Sequence, residues 1–265
     1  MIPKIGITTQ IINEAKWYKC LNSLGYQTVE INRLSSKLFL DMYFLEKVKR
    51  YTRGYDLSIH SGTRGVFHPN ATFTNADLAV LTAELDMCSI LGVEQFVFHL
   101  NCEMLTVENK KRLKDVINYA ADLNIMMMYE SDSNFTAHDT YDVLESFNDL
   151  GYVLDIGHLN NSSGKRLLGC DMDDFIRNVK SRVVYIHASN NCGTRDDHFG
   201  LNNGTLDWEH ILDSLDLSKV NKIIIEVRNI AMVKNSFGDL ESYIMSRFML
   251  NSPLKMVSGF LHGGV

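Results

Sequence analysis

The chain has few prolines, no long apolar run and no paired cysteines, and each absence excludes a class of protein. Only 3 of its 265 residues are proline and 17 are glycine, which excludes collagen-like repeats and proline-rich disorder. No apolar run approaches the roughly 18 to 20 residues that cross a bilayer, and the start MIPKIGITTQ has no apolar segment behind a basic one. We therefore expect a cytoplasmic protein without a membrane segment.

The cysteines give no sign of a disulfide framework or of a cysteine zinc site, because they are odd in number, widely spaced and without a CxxC pair. They are Cys20, Cys88, Cys102, Cys170 and Cys192. The formal charge of -6 also makes a broad nucleic-acid-binding surface unfavourable, although a local basic patch remains compatible with it.

Eight short runs rich in β-branched and aromatic residues alternate with stretches of helical periodicity. This alternation predicts βαβ units and a parallel sheet, and near-continuous hydrophobicity suits strands that are covered on both faces. An open doubly wound sheet is the alternative, but the first strand is not followed by GxGxxG. We predict a single (β/α)8 TIM barrel over 1–265, with 251–265 as a C-terminal extension. The predicted strands are 3–9, 27–32, 56–61, 95–101, 125–131, 152–158, 183–189 and 222–228.

The predicted helices lie between these strands. Thr74 is placed to begin one of them and Gly92 to end it, since threonine caps helix starts and glycine follows helix ends. The predicted ranges are 13–24, 36–51, 74–92, 106–124, 138–149, 171–180, 208–215 and 239–249.

Histidines and carboxylates fall near the ends of six consecutive predicted strands. In a barrel the carboxyl ends of all strands open on one face, where active sites are built. A lone histidine or glutamate at a strand end is more often structural, but so many buried ionisable groups require pairing or a bound cation. The coincidence therefore predicts a metal site. The residues, in strand order, are His60, His99, Glu130, Asp155 with His158, His187, and Glu226.

The stretch HASNNCGTRDDHFG at 187–200 follows the seventh predicted strand and adds two candidate ligands. In an extended DxH, Asp196 and His198 point the same way, whereas Asp197 faces away. Imidazoles and carboxylates together suit Zn²⁺ or Mn²⁺, and Mg²⁺ would prefer fewer histidines. We therefore expect a divalent metal cofactor, zinc or manganese.

Six segments together resemble the xylose isomerase-like TIM-barrel superfamily, in the right order and spacing and over nearly the whole chain. That superfamily includes the sugar isomerases and epimerases and the endonuclease IV group of apurinic/apyrimidinic (AP) endonucleases. The segments are IHS at 59–61, FHL at 98–100, YES at 129–131, LDIGH at 154–158, IHASNNCGTRDDHFG at 186–200 and IEV at 225–227.

In the isomerase branch, the resemblance implies one divalent ion that binds a sugar, sugar phosphate or related polyol and stabilises an enediolate. Glu130 and Glu226 would be ligands and acid–base groups. His158 is the third candidate catalytic residue and, with Arg228 and Glu30, a candidate for substrate binding. The four implied metal ligands are Glu130, Asp155, His187 and Glu226.

In the endonuclease IV branch, the resemblance implies up to three zinc ions and hydrolysis of phosphodiesters at abasic sites in DNA. The implied ligands are the same four residues together with His60, His99, His158, Asp196 and His198. Binding DNA would require cations around the mouth of the barrel. The candidates are scattered: Arg33, Lys37, Arg64, Lys165, Arg166 and Arg195.

Local motifs favour the isomerase branch. GYQTVEI, which contains Glu30, and the short step from His187 to Asp196 resemble that branch, and Thr63 stands where the endonucleases carry an aromatic residue. Ser131 and the stretch 202–204 depart from both branches.

We therefore expect a metal-dependent isomerase or epimerase that binds one to three ions and a small sugar-like substrate, with AP endonuclease as the alternative. A non-catalytic barrel with a structural metal is disfavoured, because such sites are usually closed and four-coordinate. The substrate and homo-oligomerisation stay open.

Overall fold

A computed structural model shows eight parallel strands closed into a barrel, in which each strand pairs with its neighbours in sequence and β8 returns to β1. The structure describes residues 1–12, 14, 16–32, 41–61, 75–100, 102 and 105–250. The predicted (β/α)8 architecture is confirmed. The strands are β1 (Lys4–Thr8), β2 (Thr28–Ile31), β3 (Asp56–His60), β4 (Gln95–His99), β5 (Met126–Glu130), β6 (Gly151–Asp155), β7 (Val183–Ala188) and β8 (Lys222–Ile225).

Helices connect the strands and cover the outside of the barrel. They are α1 (Leu21–Leu24), α2 (Met42–Tyr51), α3 (Asn75–Leu91), α4 (Val107–Asp122), α5 (Ala137–Ser146), α6 (Ile156–Gly164), α7 (Met172–Val179), α8 (Trp208–Asp213) and α9 (Ile230–Leu250). The prediction for 13–24 was too long, because a 3-10 turn at Trp17–Lys19 precedes the short α1. Thr74, the start of the predicted helix 36–51 and the extension 251–265 lie outside the described residues. Among the described helices, none is long and apolar enough to cross a membrane.

The sixth strand is shorter than predicted. It ends at Asp155, and the chain turns at once into α6 because the Asp155 side chain accepts a hydrogen bond from the backbone N–H of His158 at 2.8 Å. An aspartate in this position caps a helix start. His158 therefore lies on the first turn of a buried helix, not at a strand end, and its backbone is tied to the Asp155 carboxylate.

The barrel interior is layered along its axis. A small apolar cluster fills the middle and is separate from the larger core between strands and helices. Charged residues begin three strands at the amino end, namely Lys4, Asp56 and Lys222. The ionisable residues of the candidate site lie at the carboxyl end. The apolar cluster is Val97, Met128, Val153, Tyr185 and Ile224.

Candidate metal centre

Four side chains from adjacent strand ends converge at the carboxyl end of the barrel. Glu130 ends β5, Asp155 ends β6, His187 lies in β7 and Glu226 directly follows β8. All four are buried, and one ligand atom from each lies within 4.8 Å of the others. Neighbouring strands thus place one imidazole and three carboxylates around a common point.

Two atoms of this group are buried without a hydrogen-bond partner: Nδ1 of His187 and Oδ2 of Asp155. Nδ1 of His187 is 3.2 Å from Oε1 of Glu130 and 3.8 Å from Oε2 of Glu226. Buried polar atoms normally have partners, since leaving one without a partner costs about 1–3 kcal/mol. A divalent cation would satisfy these atoms, and the mixed nitrogen and oxygen donors suit zinc or manganese.

Glu130 also belongs to a second group of candidate ligands, with His60 and His99. Its Oε2 lies 3.0 Å from Nε2 of His60 and 3.5 Å from Nε2 of His99. The other ring nitrogen, Nδ1, faces a backbone carbonyl in both histidines, that of Ser61 for His60 and that of Glu130 for His99. Because a carbonyl only accepts, Nδ1 carries the proton and Nε2 presents its lone pair to the site when the ring is neutral.

A third group of candidate ligands consists of His158, Asp196 and His198. Oδ2 of Asp196 is 3.0 Å from Nε2 of His198 and 3.6 Å from Nε2 of His158, and its Oδ1 is buried without a partner. Nδ1 of His158 donates to the carbonyl of Ser131, and Nδ1 of His198 donates to that of Glu226. His198 has a φ of 52°, in the left-handed region that few non-glycine residues adopt.

Buried asparagines hold the loop after β7 in place. Nδ2 of Asn191 donates to the carbonyl of Gly157 at 2.8 Å, and Nδ2 of Asn160 donates to the carbonyl of Asn191 at 3.0 Å. Both bonds join the loop to α6. Asn190 pairs with Phe199 as an isolated antiparallel bridge, so the loop folds back and carries Asp196 and His198 to the site.

The close packing of these groups shifts their pKa values. Burial raises the pKa of Asp155 to about 6, against the opposing charge of His158. Burial would lower the pKa of His60 and His198, but hydrogen bonds to Glu130 and Asp196 raise each to about 9. Burial would raise the pKa of Glu130, yet the charge of His187 holds it well below its usual value.

A small cavity of about 110 Å³ opens onto these groups. Three of its lining residues were not predicted from the sequence: Gln10, Asn32 and Ser61. Oδ1 of Asn32 accepts from the hydroxyl of Thr9 at 2.9 Å, and its Nδ2 is buried without a partner. The only sequence signal for these residues is their position just after the first three strands.

The other predicted side chains lie elsewhere. Glu30 is fully buried below the site and does not line the cavity, so the role in substrate contact predicted for it has no support in the structure. Arg228 is exposed beyond β8 and does not line the cavity either. Asp197 is turned towards Arg195, with 3.9 Å between Oδ1 and Nε. Cys192 is exposed.

Of the six cations considered for DNA contact, Arg33, Lys37 and Arg64 lie outside the described residues. Lys165 donates to Oδ1 of Asn134 at 2.7 Å, and the Arg195 side chain is 83% exposed. Of the six candidates, Lys165, Arg166 and Arg195 fall in the described part of the chain, and all three are exposed.

Comparison with known proteins gives a consistent picture. A family model described as a xylose isomerase-like TIM barrel matches residues 19–239. A D-tagatose 3-epimerase-like protein superposes with a TM-score of 0.77 at 17% identity, covering 94% of this chain and 100% of that one. IOLI protein with a binding zinc atom gives 0.69 at 15% identity, covering 92% and 98%. Endonuclease IV from Thermus thermophilus gives 0.64 at 16% identity, covering 92% and 100%.

Among curated sequences, an uncharacterized protein of Methanocaldococcus jannaschii is 23% identical over 145 residues, or 51% of this chain and 48% of that protein. A second uncharacterized protein of the same organism is 24% identical over 127 residues, 45% of either chain. The chain thus matches about half the length of these relatives. Structural similarity at such low identity demonstrates a shared fold alone.

Proposed function

The chain belongs to the xylose isomerase-like TIM-barrel family, and on that premise we propose that it is a divalent-metal-dependent isomerase or epimerase of a small sugar-like polyol. The proposal depends on one observation above all. Glu130, Asp155, His187 and Glu226 bring four buried ligand atoms within 4.8 Å of one another, and Glu130 and Glu226 line a cavity of about 110 Å³.

The ion would be held by these four residues, and it would supply a positive charge that polarises substrate oxygens and favours loss of a proton from an adjacent carbon. The protein supplies the groups that move the proton. Glu130 is held tightly by His60 and His187, and its low pKa keeps it ionised, which suits a ligand. Glu226 makes only long contacts, 3.8 Å to Nδ1 of His187 and 3.9 Å to Nδ1 of His198. We assign Glu226 as the base that takes the carbon-bound proton.

Two further groups would orient the substrate. Nε2 of His158 lies near the site because Nδ1 is fixed by the carbonyl of Ser131 at 2.8 Å. Asn32 lines the cavity, and its Nδ2 atom is buried without a partner. Each is placed to hydrogen-bond a hydroxyl or carbonyl oxygen, so the wall recognises oxygen-rich molecules.

The test is proton exchange, which does not require the substrate to be known in advance. Protein loaded with Mn²⁺, Co²⁺ or Zn²⁺ is incubated in D₂O with a panel of ketoses and aldoses, and NMR detects deuterium at the carbon beside the carbonyl together with new isomers. We expect exchange with at least one sugar, lost in Glu226→Gln and kept in Asp197→Asn, whose carboxylate faces away from the site. No exchange across the panel with metal-loaded protein would contradict the proposal.

The second candidate is AP endonuclease activity, favoured by the additional ligands around the first four. One group consists of His60 and His99 around Glu130. The other consists of His158, Asp196 and His198. These groups would hold more than one cation, as cleavage of a phosphodiester by clustered ions requires. A nicking assay on duplex DNA with one abasic site tests this activity. Cleavage at low enzyme concentration without any sugar exchange would replace the isomerase proposal.

A further inference from the structure

We infer that Glu30, buried beneath the site, is a positioning residue that turns His187 so that its Nδ1 atom faces the other candidate metal ligands. The inference rests on the metal site of the proposed function but not on the reaction. It concerns a carboxylate that lines no part of the cavity and therefore acts through the histidine.

The contacts around Glu30 form a buried chain. His187 and Glu30 are both fully buried, and Nε2 of His187 is 2.9 Å from Oε2 of Glu30. The Tyr185 hydroxyl donates to the same oxygen at 2.9 Å and lies 2.6 Å from Oγ of Ser58. Strands β2, β3 and β7 each contribute to this chain. Both contacts to the carboxylate come from β7 and reach Oε2, whereas Oε1 is buried without a hydrogen-bond partner.

The chemistry of the carboxylate sets the direction of the imidazole. A carboxylate only accepts hydrogen bonds, so Nε2 of His187 must carry the proton that it donates to Glu30. In the neutral ring the lone pair is then on Nδ1, the atom that faces Glu130 and Glu226 and has no hydrogen-bond partner. Glu30 thereby selects which nitrogen is available to a cation.

His187 is reversed relative to the other four histidines of the site. In His60, His99, His158 and His198, Nδ1 lies against a backbone carbonyl and Nε2 faces the carboxylates. In His187, Nε2 points down into the barrel interior, where the strand carbonyls pair with neighbouring strands. A side-chain acceptor is needed there, and a carboxylate also makes the imidazole a stronger ligand than a carbonyl does.

The experiment measures zinc binding by calorimetry with a competing chelator in the parent, Glu30→Met, Glu30→Gln and Tyr185→Phe. Methionine keeps the side-chain volume but accepts no such bond, and we expect the zinc dissociation constant to rise by about 10- to 100-fold. Glutamine keeps an acceptor without the charge and should recover part of the affinity. Tyr185→Phe keeps the Glu30–His187 contact and should change zinc affinity by less than about threefold.

A second measurement follows the ring itself. ¹⁵N NMR of zinc-loaded parent should show His187 protonated at Nε2 and bound through Nδ1, whereas the other site histidines should be protonated at Nδ1. Zinc binding through Nε2 of His187 would overturn the inference. So would parent-like zinc affinity in Glu30→Met with an unchanged melting temperature. If that variant does not fold, Glu30→Gln decides by the same two measurements.

The outcomes separate this inference from the proposed reaction. Tight zinc binding by the parent and weaker binding by Glu30→Met would support the role of Glu30. If the same parent exchanges no sugar proton, the isomerase proposal is contradicted. A parent that exchanges sugar protons, together with a Glu30→Met variant that binds zinc as tightly as the parent, would support the isomerase proposal and contradict the role of Glu30. A parent that binds no divalent ion would overturn both.

Discussion

At the amino end of the barrel the charged side chains are paired with one another, whereas at the carboxyl end some polar atoms of the buried ionisable side chains have no hydrogen-bond partner. At the amino end, Nζ of Lys222 pairs with Oδ1 of Asp56 at 2.9 Å and donates to the carbonyl of Leu57 at 2.8 Å. Lys4 pairs with the other Asp56 oxygen at 2.7 Å. At the carboxyl end, Oδ2 of Asp155 and Nδ1 of His187 are buried without a hydrogen bond.

The difference separates a structural ion cluster from a candidate functional one better than size does. The cavity at the amino end measures about 530 Å³, and the one at the carboxyl end about 110 Å³. Yet the larger cavity has a lysine–aspartate–lysine cluster in which each lysine pairs with an oxygen of Asp56, as expected for the end of a barrel that serves stability. At the carboxyl end, in contrast, two atoms without partners belong to the four converging candidate ligands, and two of those ligands, Glu130 and Glu226, line the smaller cavity.

The largest expected effect is on catalysis at the carboxyl end. Measured at saturating metal because Glu226 is also a proposed ligand, Glu226→Gln keeps the size of the side chain but removes the proposed base. We therefore expect turnover of the exchanging sugar to fall by about 10²- to 10⁴-fold. The melting temperature should change little, because this carboxylate makes only long contacts. Asp197→Asn is the control and should retain parent activity. A Glu226→Gln enzyme with more than a tenth of parent turnover would contradict the assignment.

The next largest effect is the stability that a bound cation should give to the carboxyl end. If buried atoms at the carboxyl end lack only a cation, Zn²⁺ or Mn²⁺ at about 100 times its dissociation constant should raise the free energy of unfolding by about 3 kcal/mol. Chelator should reverse the gain in a urea titration. Asp155→Asn can still cap α6 but loses the charge, so the metal should stabilise it far less. Equal stabilisation of both proteins would place the ion elsewhere.

A smaller effect is expected at the amino end. Asp56→Asn leaves Lys222, whose side chain is only 4% exposed, without its main partner, and we expect a loss of about 2 kcal/mol in unfolding free energy. Adding Lys222→Met should restore much of it, because the buried charge is then removed as well. Metal affinity should be unchanged in both variants. A fall in metal affinity would show that the ion pairs at the amino end affect the metal site, and it would contradict the proposed separation of the two ends.

The sequence predicted the strands well because buried parallel strands carry near-continuous apolar runs. It failed at the end of β6, where the run continued through Ile156 and Gly157 into α6. Nothing in the composition shows that the Asp155 side chain bonds to the His158 backbone, and that contact begins the helix. Local capping geometry, not hydrophobicity, decided this boundary.

The residue types of the candidate site could be predicted from the sequence, but the directions in which their side chains point could not. Histidines and acids at strand ends carry a signal, whereas neutral amides such as Asn32 do not. Glu30 shows the second limit. It pairs in register with Thr8 and Ser58, and only the alternation of side chains in the closed barrel places it beneath the site. Its contact with His187, from a distant strand, depends on the closed barrel.

The smallest effect is a pH dependence confined to the metal-free carboxyl end. Hydrogen bonds raise the pKa of His60 and His198 to about 9 in the folded protein, against about 6.5 when unfolded. Between these values the folded state holds more protons, so stability is fully present below pH 6.5 and falls as pH rises towards 9.

We expect a loss of about 1 kcal/mol over this window in urea unfolding, since coupled neighbours reduce the effect of each shift. Asp56→Asn with Lys222→Met should show the same slope, because the amino end holds no histidine in its charged cluster. Metal-loaded protein should lose the dependence, since bound cations displace those protons. If the stability of the metal-free protein is flat or rises between pH 6.5 and 9, these histidines are neutral. The charges at the carboxyl end are then compensated without a cation.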